Sequence, residues 1–413
     1  MRHLFVTQDY PPDLGGMARR HVELCRRFAP ESVVVSTVAS PTAAPFDRGE
    51  PYPIVREPFP FAAAKRFANE VTWARHIARL CHDNIDVIHL GNIRPCGYAV
   101  AIATRRTATP YLVYVNGGDL LRERQKAATS RTKRWSARDI LARAAGIVAN
   151  SQWTATLAAD VMHAVGVRRA PPVAAIDLGT DPVQFSPGRD RRTLRSRLGV
   201  DEAPMVLSVA RLVPHKGQDV AIQAIASLDA SLDASLDASL GASLDASLDA
   251  SLGRVHYVVV GEGHDAARLR ALAASAGLGD RVHLTGPLGD EEVAEAYATA
   301  DVYIGLSRVD SAINAEGFGI SFVEAAASGT PSVAGDSGGV RSAVRDGETG
   351  FVVDPTDVAA VAAALRRLLA DPALRRRMGE AGRRAVEGHY NWDRVARETL
   401  DFTRRCLAAP RSR

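Results

Sequence analysis

Two short stretches of the 413-residue sequence place charged side chains where a phosphorylated sugar could be held. In Arg211-Leu-Val-Pro-His-Lys216-Gly217, two cations follow directly on the apolar run Met205–Val209, which reads as a buried strand. In an open α/β sheet the carboxyl ends of the strands are where ligands bind. A planar guanidinium and a point-charge ammonium there suit a diphosphate, whose charge they would neutralise as it leaves. Standing alone, the pair is equally a solvated turn.

Downstream, Glu316-Gly-Phe-Gly-Ile-Ser-Phe-Val-Glu324 sets two carboxylates eight positions apart, the first on a loop and the second in a helix that runs on through Ala325 to Ala327. Eight residues make about 2.2 helical turns, so both can face one cavity and accept hydrogen bonds from sugar hydroxyls. Gly317 and Gly319 let backbone amides approach a phosphate at the helix start, and Ser337-Gly338-Gly339 offers the same before the next helix. An acidic pair on a helix is otherwise a solvated face.

Positioning these groups requires parallel sheets. Short β-branched runs alternate with Ala-, Leu- and Arg-rich helical stretches along the whole chain, the pattern of wound α/β domains. A first series predicts strands at His3–Val6, Val33–Val38, Val87–Leu90, Tyr111–Val115 and Ile147–Ala149. A second predicts them at Met205–Val209, His256–Val260, Val282–Leu284, Val302–Leu306, Pro331–Ala334 and Phe351–Val353. The Gly-, Pro- and Asp-rich segment between Asp177 and Pro187 reads as a hinge, giving an N-terminal domain over 1–180 and a C-terminal one over 181–389. A last helix within 390–413 is expected to pack back on the first domain. Residues 227–252 repeat Ser-Leu-Asp-Ala; leucine at every fourth position drifts about 40° per step, so no apolar stripe is sustained and a solvated extension or loop is expected.

Composition removes other classes. With 51 Lys and Arg against 47 Asp and Glu, the net charge of +4 implies no dedicated nucleic-acid surface. Four scattered cysteines without a C-x-x-C pair argue against a disulfide framework and a thiolate zinc site, and suit a reducing cytoplasm. No run approaches the roughly 18 apolar residues of a membrane span. Val258-Val-Val-Gly261-Glu-Gly263-His-Asp-Ala266 fits a dinucleotide-binding fingerprint, but the strand after it ends in Thr285-Gly286 with no acidic residue for a ribose, so a nicotinamide-dependent oxidoreductase is disfavoured. A nucleotide-sugar binder or epimerase on the same scaffold is the closer rival.

Taken together, these segments resemble the family 4 retaining glycosyltransferases, whose GT-B fold pairs two facing Rossmann-like domains with the nucleotide sugar in the cleft. The resemblance covers nearly the whole chain: Gly15-Gly16, Asn150-Ser151, the hinge, Arg211 with Lys216, Gly261-Glu-Gly263, Glu316 with Glu324, Gly329-Thr-Pro331, Ser337-Gly-Gly339, Gly347-Glu-Thr-Gly350 and Trp392. It implies Arg211 and Lys216 on the diphosphate, Glu324 on the ribose, Glu316 on the transferred sugar, and Gly16 bringing its amide to the β-phosphate. Backbone atoms of Gly317, Phe318, Gly319, Ile320, Gly338 and Gly339 would complete the donor site. It also implies transfer with retained anomeric configuration, without a protein base. The sequence contains no Asp-x-Asp, so no divalent metal or other cofactor is expected. Where the family often has His-Gly after the fourth strand of the first series, this chain has Asn116-Gly117.

The acceptor is expected in the N-terminal domain, with Asp9, Asp13, Asn116 and Asp119 on its loops. Three carboxylates at one mouth would attract a polycation, and the local sequence resembles glycosyltransferases of aminoglycoside antibiotic assembly. The expected reaction is therefore transfer of a hexosyl or N-acetylglucosaminyl group, most simply from a UDP-sugar, to a small polar acceptor such as an aminocyclitol. The alternative roles of these carboxylates are turn-shaping and helix capping. The basic stretch Arg122–Arg138 points instead to an anionic membrane carrying a lipid acceptor of the GDP-mannose type, or to a solvated helix face.

Overall fold

A computed structural model describes residues 1–12, 15–200, 202–237, 254–309 and 314–409. It divides into two compact units, Met1–Leu178 with Trp392–Arg413, and Gly179–Asn391.

The first unit is built on a seven-stranded, all-parallel sheet: β1 (His3–Val6), β2 (Val33–Ala39), β3 (Ile54–Pro60), β4 (Val87–Leu90), β5 (Tyr111–Val115), β6 (Gly146–Ala149) and β7 (Val173–Ala175), in the order β3-β2-β1-β4-β5-β6-β7. The inner strands read as continuous apolar runs because helices cover both faces, and every residue of β1, β4, β5 and β6 is buried. The two strands the sequence did not signal, β3 and β7, are the edges. Ile-Val-Arg-Glu-Pro-Phe-Pro carries two prolines that a central strand would not tolerate, and β7 has three residues with only intermediate or open exposure.

The helix Trp392–Ala408 closes this unit, with Trp392, Val395, Phe402 and Cys406 buried. It lies so close to β6 that a Cβ on Gly146 would stand 2.6 Å from Cys406 Sγ and 2.9 Å from the Phe402 ring. Arg394 donates to the carbonyl of Asp177, and Asp393 pairs with Arg27 at 2.6 Å.

The second unit has a six-stranded parallel sheet: β8 (Met205–Val209), β9 (His256–Val260), β10 (Val282–Gly286), β11 (Val302–Gly305), β12 (Ser332–Gly335) and β13 (Gly350–Val353), in the order β10-β9-β8-β11-β12-β13. Its core gathers Val206, Ile222, Tyr257, Leu269, Ile304 and Leu365 from both sheet and helices. The helix Gln218–Asp237 takes in the first part of the Ser-Leu-Asp-Ala repeat; residues 238–253, like Asp13 and the basic tail, lie outside the described residues.

Both sheets wind outward from a central pair, β1 beside β4 in the first unit and β8 beside β11 in the second. These reversals of strand order leave a crevice at the carboxyl ends of the two central strands. The four free cysteines are all buried, and among the described residues no helix is long and apolar enough to cross a membrane.

Candidate active site

In the second unit the switch point between β8 and β11 brings together the charged residues read from the sequence. The loop after β8 tightens into a 3-10 turn, Pro214–Lys216, and leaves it through Gly217 at φ 72°. A Cβ at Gly217 would lie 2.2 Å from the carbonyl oxygen of Leu306, just beyond β11, so only glycine lets the two loops cross there. Lys216 Nζ thereby reaches Glu316 Oε2 at 2.8 Å and Ser307 Oγ at 3.3 Å. Both members of the ion pair remain about a fifth exposed, at 22% and 21%.

Burial alone would raise the Glu316 carboxyl, but the charge and hydrogen bond of Lys216, the Phe318 amide and the Ser307 hydroxyl bring it below its ordinary value. Glu316 is therefore an anion at neutral pH. Arg211 is exposed, and among the described residues its guanidinium has no hydrogen-bonded or ionic partner.

Glu324 sits one turn into the helix Ile320–Ala327, where it accepts a 2.9 Å hydrogen bond from the Tyr297 hydroxyl. Burial raises the Tyr303 phenol above its ordinary value, and the charges of both Glu324 and Glu316 add to that effect, so both carboxylates lie in its field. Gly319 takes the left-handed conformation at the helix start, at φ 96°.

Glycines elsewhere serve close backbone packing. A Cβ at Gly261 would approach Ala210 O to 2.2 Å, and one at Gly263 would approach Leu212 O to 2.1 Å. The fingerprint-like Gly261-Glu-Gly263 thus backs the Arg211 loop, with Leu212 N–H donating to Glu262 O at 2.9 Å. Gly338 packs within 2.2 Å of Glu316 O by the same measure, and the amide of Gly339 donates to that oxygen at 2.8 Å. In this structure the Gly338-Gly339 turn holds the Glu316 backbone, and the Gly339 amide is already engaged rather than free for a phosphate. The segment after it is a three-residue 3-10 turn, Val340–Ser342, where a helix was expected.

In the first unit the switch point between β1 and β4 carries Asp9 and Asn92. Asn92 Nδ2 donates to Asp9 Oδ2 at 2.9 Å, and Thr7 Oγ1 accepts from the Asp9 amide at 3.1 Å. Gly16 opens the helix Gly16–Arg27, and its preceding Gly15 offers no side-chain cap. Asn116 precedes the helix Gly117–Thr129 without capping it; its amide nitrogen contacts the Met17 sulfur instead. Asp119, in the first turn of that helix, accepts from Arg122 at 2.5 Å. Asp119 is therefore engaged by a cation of its own chain, which weakens the expected acidic mouth.

Two features here carry no local sequence signal. Arg20 is 2% exposed, although arginine pairs such as Arg19-Arg20 ordinarily face water. Phe67 and Trp135 are the opposite case, 68% and 63% exposed, beside a groove of about 530 Å³ lined by Lys65, Glu70, Tyr98, Arg131 and Lys133. Trp135 lies inside the basic stretch that the charge pattern had singled out, and its own exposure is a matter of helix phase rather than residue type.

Two doubly wound parallel sheets, one carrying an Arg–Lys loop against a Glu at its switch point, define an α/β glycosyltransferase of the GT-B type. Residues 190–385 match the family described as "Glycosyl transferases group 1", and residues 14–173 match "Glycosyltransferase Family 4". The chain belongs to this glycosyltransferase family and moves a sugar from a nucleotide-sugar donor to an acceptor. It is 31% identical over 412 residues, 98% of either chain, to a GDP-mannose-dependent alpha-(1-6)-phosphatidylinositol monomannoside mannosyltransferase of Mycobacterium tuberculosis. Over 221 residues, 52% of this chain and 44% of the relative, it is 37% identical to a D-inositol 3-phosphate glycosyltransferase of Geodermatophilus obscurus. Among solved structures, Anabaena HepE in complex with UDP has the same fold, with a TM-score of 0.77 and 20% identity over 98% of this chain and all of that one.

Proposed function

We propose that the protein transfers mannose from GDP-mannose to a hydroxyl of an inositol-phosphate acceptor borne by a lipid, with retention of configuration and without a divalent metal. The full-length relatives act, by their names, on a phosphatidylinositol mannoside with GDP-mannose, and the partial ones on an inositol phosphate. These names redirect the expectation of a UDP-sugar and an aminocyclitol toward a guanosine donor and a phosphorylated cyclitol.

The observation in this chain that carries the lipid-borne reading is the groove at Phe67 and Trp135. Its two exposed aromatics, with Phe61 at 38% exposure, stand among Lys65, Arg131 and Lys133. Lys65 Nζ lies 5.2 Å from the Phe61 ring centre and Lys133 Nζ 5.5 Å from that of Tyr98. An exposed indole and apolar phenyl rings flanked by cations suit the headgroup layer of an anionic bilayer, where an acceptor with an acyl anchor resides.

On the donor side, Arg211 and Lys216 would neutralise the guanosine diphosphate as it leaves. Glu316, kept ionised by Lys216, would accept from a sugar hydroxyl, and Glu324 from the ribose. With the diphosphate held by two fixed cations, the leaving phosphate itself can take the acceptor proton, so the site needs no protein base.

The test is a product assay run in chelator. Full-length protein is given GDP-mannose or UDP-N-acetylglucosamine, with vesicles containing phosphatidylinositol mannoside or with a soluble aminocyclitol, and products are read by mass. A mannosylated lipid from GDP-mannose is expected. An amino-sugar on the aminocyclitol alone would overturn the proposal, and dependence of the lipid product on added magnesium would overturn its metal-free part.

A further inference from the structure

A second ion pair, besides Lys216 with Glu316, joins the segment that follows β8 to the segment that follows β11. Arg308 Nη1 donates to Asp219 Oδ1 at 2.9 Å and Nη2 to Oδ2 at 2.9 Å, a two-point fork that fixes orientation as well as distance. The two pairs are shielded alike, with Arg308 19% and Asp219 17% exposed against 22% and 21% for Lys216 and Glu316.

Chain connectivity ties the second pair to the first. Arg308 follows Ser307, whose hydroxyl oxygen accepts from Lys216 Nζ at 3.3 Å. The Arg308 amide donates at 2.9 Å to the carbonyl of His215, the residue before Lys216. Asp219 lies in the first turn of the helix Gln218–Asp237, two residues beyond Gly217, and Val220 N–H also donates to its Oδ1 at 3.0 Å. A closed circuit results, from Lys216 to Ser307, Arg308 and Asp219 and back along the backbone to Lys216.

The loop after β9 joins the same carboxylate through Arg268. This guanidinium holds Asp265 at 2.6 Å by Nε and by Nη2, and reaches Asp219 Oδ2 at 3.4 Å. The Asp265 amide donates to Leu212 O at 3.1 Å, and Gln218 Nε2 donates to Arg211 O at 3.1 Å, so the Arg211 end of the cationic loop belongs to the network as well. Burial alone would raise the Asp219 carboxyl, but the hydrogen bonds and charge of Arg308, the Val220 amide and the charge of Arg268 bring it below its ordinary value. Asp219 is therefore an anion at neutral pH.

A ligand acts differently on the two pairs. A diphosphate that takes Lys216, and a sugar hydroxyl that takes Glu316, compete directly with the first. Asp219 and Arg308 have no place among the donor contacts, so the second stays closed. We infer that Asp219, acting through Arg308, is a positioning residue of the donor site: it keeps the loops after β8 and β11 at their spacing, and Lys216 aimed at the diphosphate, when Lys216 exchanges Glu316 for phosphate. The inference rests on the donor-site reading of Lys216 above and extends it to a residue outside the ligand contacts, where a small misplacement is transmitted to the reacting groups.

The experiment is a double-mutant cycle on nucleotide affinity, measured calorimetrically in chelator on the full chain. GDP and UDP are the probes, and the tighter of the two in wild type is carried through, so the outcome does not turn on the base. Asp219→Asn keeps the shape and removes the charge, and Arg308→Lys keeps the charge and removes the fork; each is made in wild type and in Lys216→Ala. Denaturant midpoints establish that every titrated protein is folded, and Arg308→Lys carries the test if Asp219→Asn does not fold. In the wild-type background either variant should weaken binding on the order of fivefold. In the Lys216→Ala background neither should weaken it further, because the group they position is gone.

Equal weakening in both backgrounds would make Asp219 a merely structural residue and overturn the inference. Wild-type affinity in Arg308→Lys beside a loss in Asp219→Asn would overturn the part assigned to the fork. A loss in Lys216→Ala with none in either variant would overturn the inference and leave the donor-site reading standing. No binding of either nucleotide, or equal affinity in wild type and Lys216→Ala, would overturn that reading itself.

Discussion

At each switch point polar contacts join the segments that follow the two central strands, and the contacts differ in kind. In the second unit it is an ion pair, Lys216 with Glu316 at 2.8 Å, supported by Ser307 and the Phe318 amide. In the first it is a hydrogen bond from the Asn92 side-chain amide to Asp9 at 2.9 Å; elsewhere in that unit Arg20, Gln8 Oε1, Asn92 Oδ1 and Asn150 Oδ1 are buried without a hydrogen-bond partner among the described residues. The contact in the second unit is charged and internally compensated, whereas that in the first is neutral on the donor side and lies in a unit that keeps several buried polar atoms without a hydrogen-bond partner among the described residues.

The largest expected effect comes from removing the charge that the second unit relies on. Lys216→Ala should lower kcat on the order of a hundredfold, about 3 kcal/mol of transition-state stabilisation. Asn92→Ala, which loses one neutral hydrogen bond, should cost on the order of tenfold in kcat/KM. Equal losses would erase the distinction between the two halves.

Next in size is a pair of opposite pH effects. In the first unit burial raises Glu70 to about 7, against the pull of Lys133 and Arg94. Folded protein then holds a proton that unfolded chain releases between about pH 4.5 and 7, so this group lowers stability as pH rises through that window. Glu70→Gln should therefore stabilise at pH 8, on the order of 2 kcal/mol, and have no effect near pH 4.5, read from denaturant midpoints. Glu316 has the reverse sign. Its carboxyl lies below its ordinary value, so its contribution is present at neutral pH and lost as pH falls through the folded-state value. Glu316→Gln should destabilise at pH 7 and progressively less in acid.

The smallest effect is steric. Gly146→Ala would press a methyl against Cys406, Phe402 and Leu112, and should lower the stability of the first unit by about 1–2 kcal/mol without moving the second. Cys406→Ala in the same chain should recover part of the loss, measured as a double-mutant cycle.

How much of this could be read from the amino acids follows the same division. The inner strands were legible because burial on both faces leaves runs such as Tyr111–Val115 and His256–Val260, whereas β3 and β7 were hidden by prolines and brevity that edges tolerate. Arg211, Lys216, Glu316 and Glu324 stand in two contiguous segments, and their spacing alone proposes a shared site. The polar residues at the carboxyl ends of the first sheet stand singly after four strands, at 8, 92, 116 and 150, so no contiguous segment groups them. Only tertiary structure shows that Arg20 is buried and Trp135 exposed, since both follow from helix phase against a sheet that local patterns do not locate.

The most direct test of the account is whether the Arg211–Lys216 loop is the nucleotide site, because every later step stands on it. GDP is titrated calorimetrically in chelator into full-length wild type, Lys216→Ala and Arg20→Met. The account predicts metal-free binding that weakens tenfold or more in Lys216→Ala, roughly 1.4 kcal/mol or above, and is unchanged in Arg20→Met. Equal GDP affinity in wild type and Lys216→Ala would contradict it.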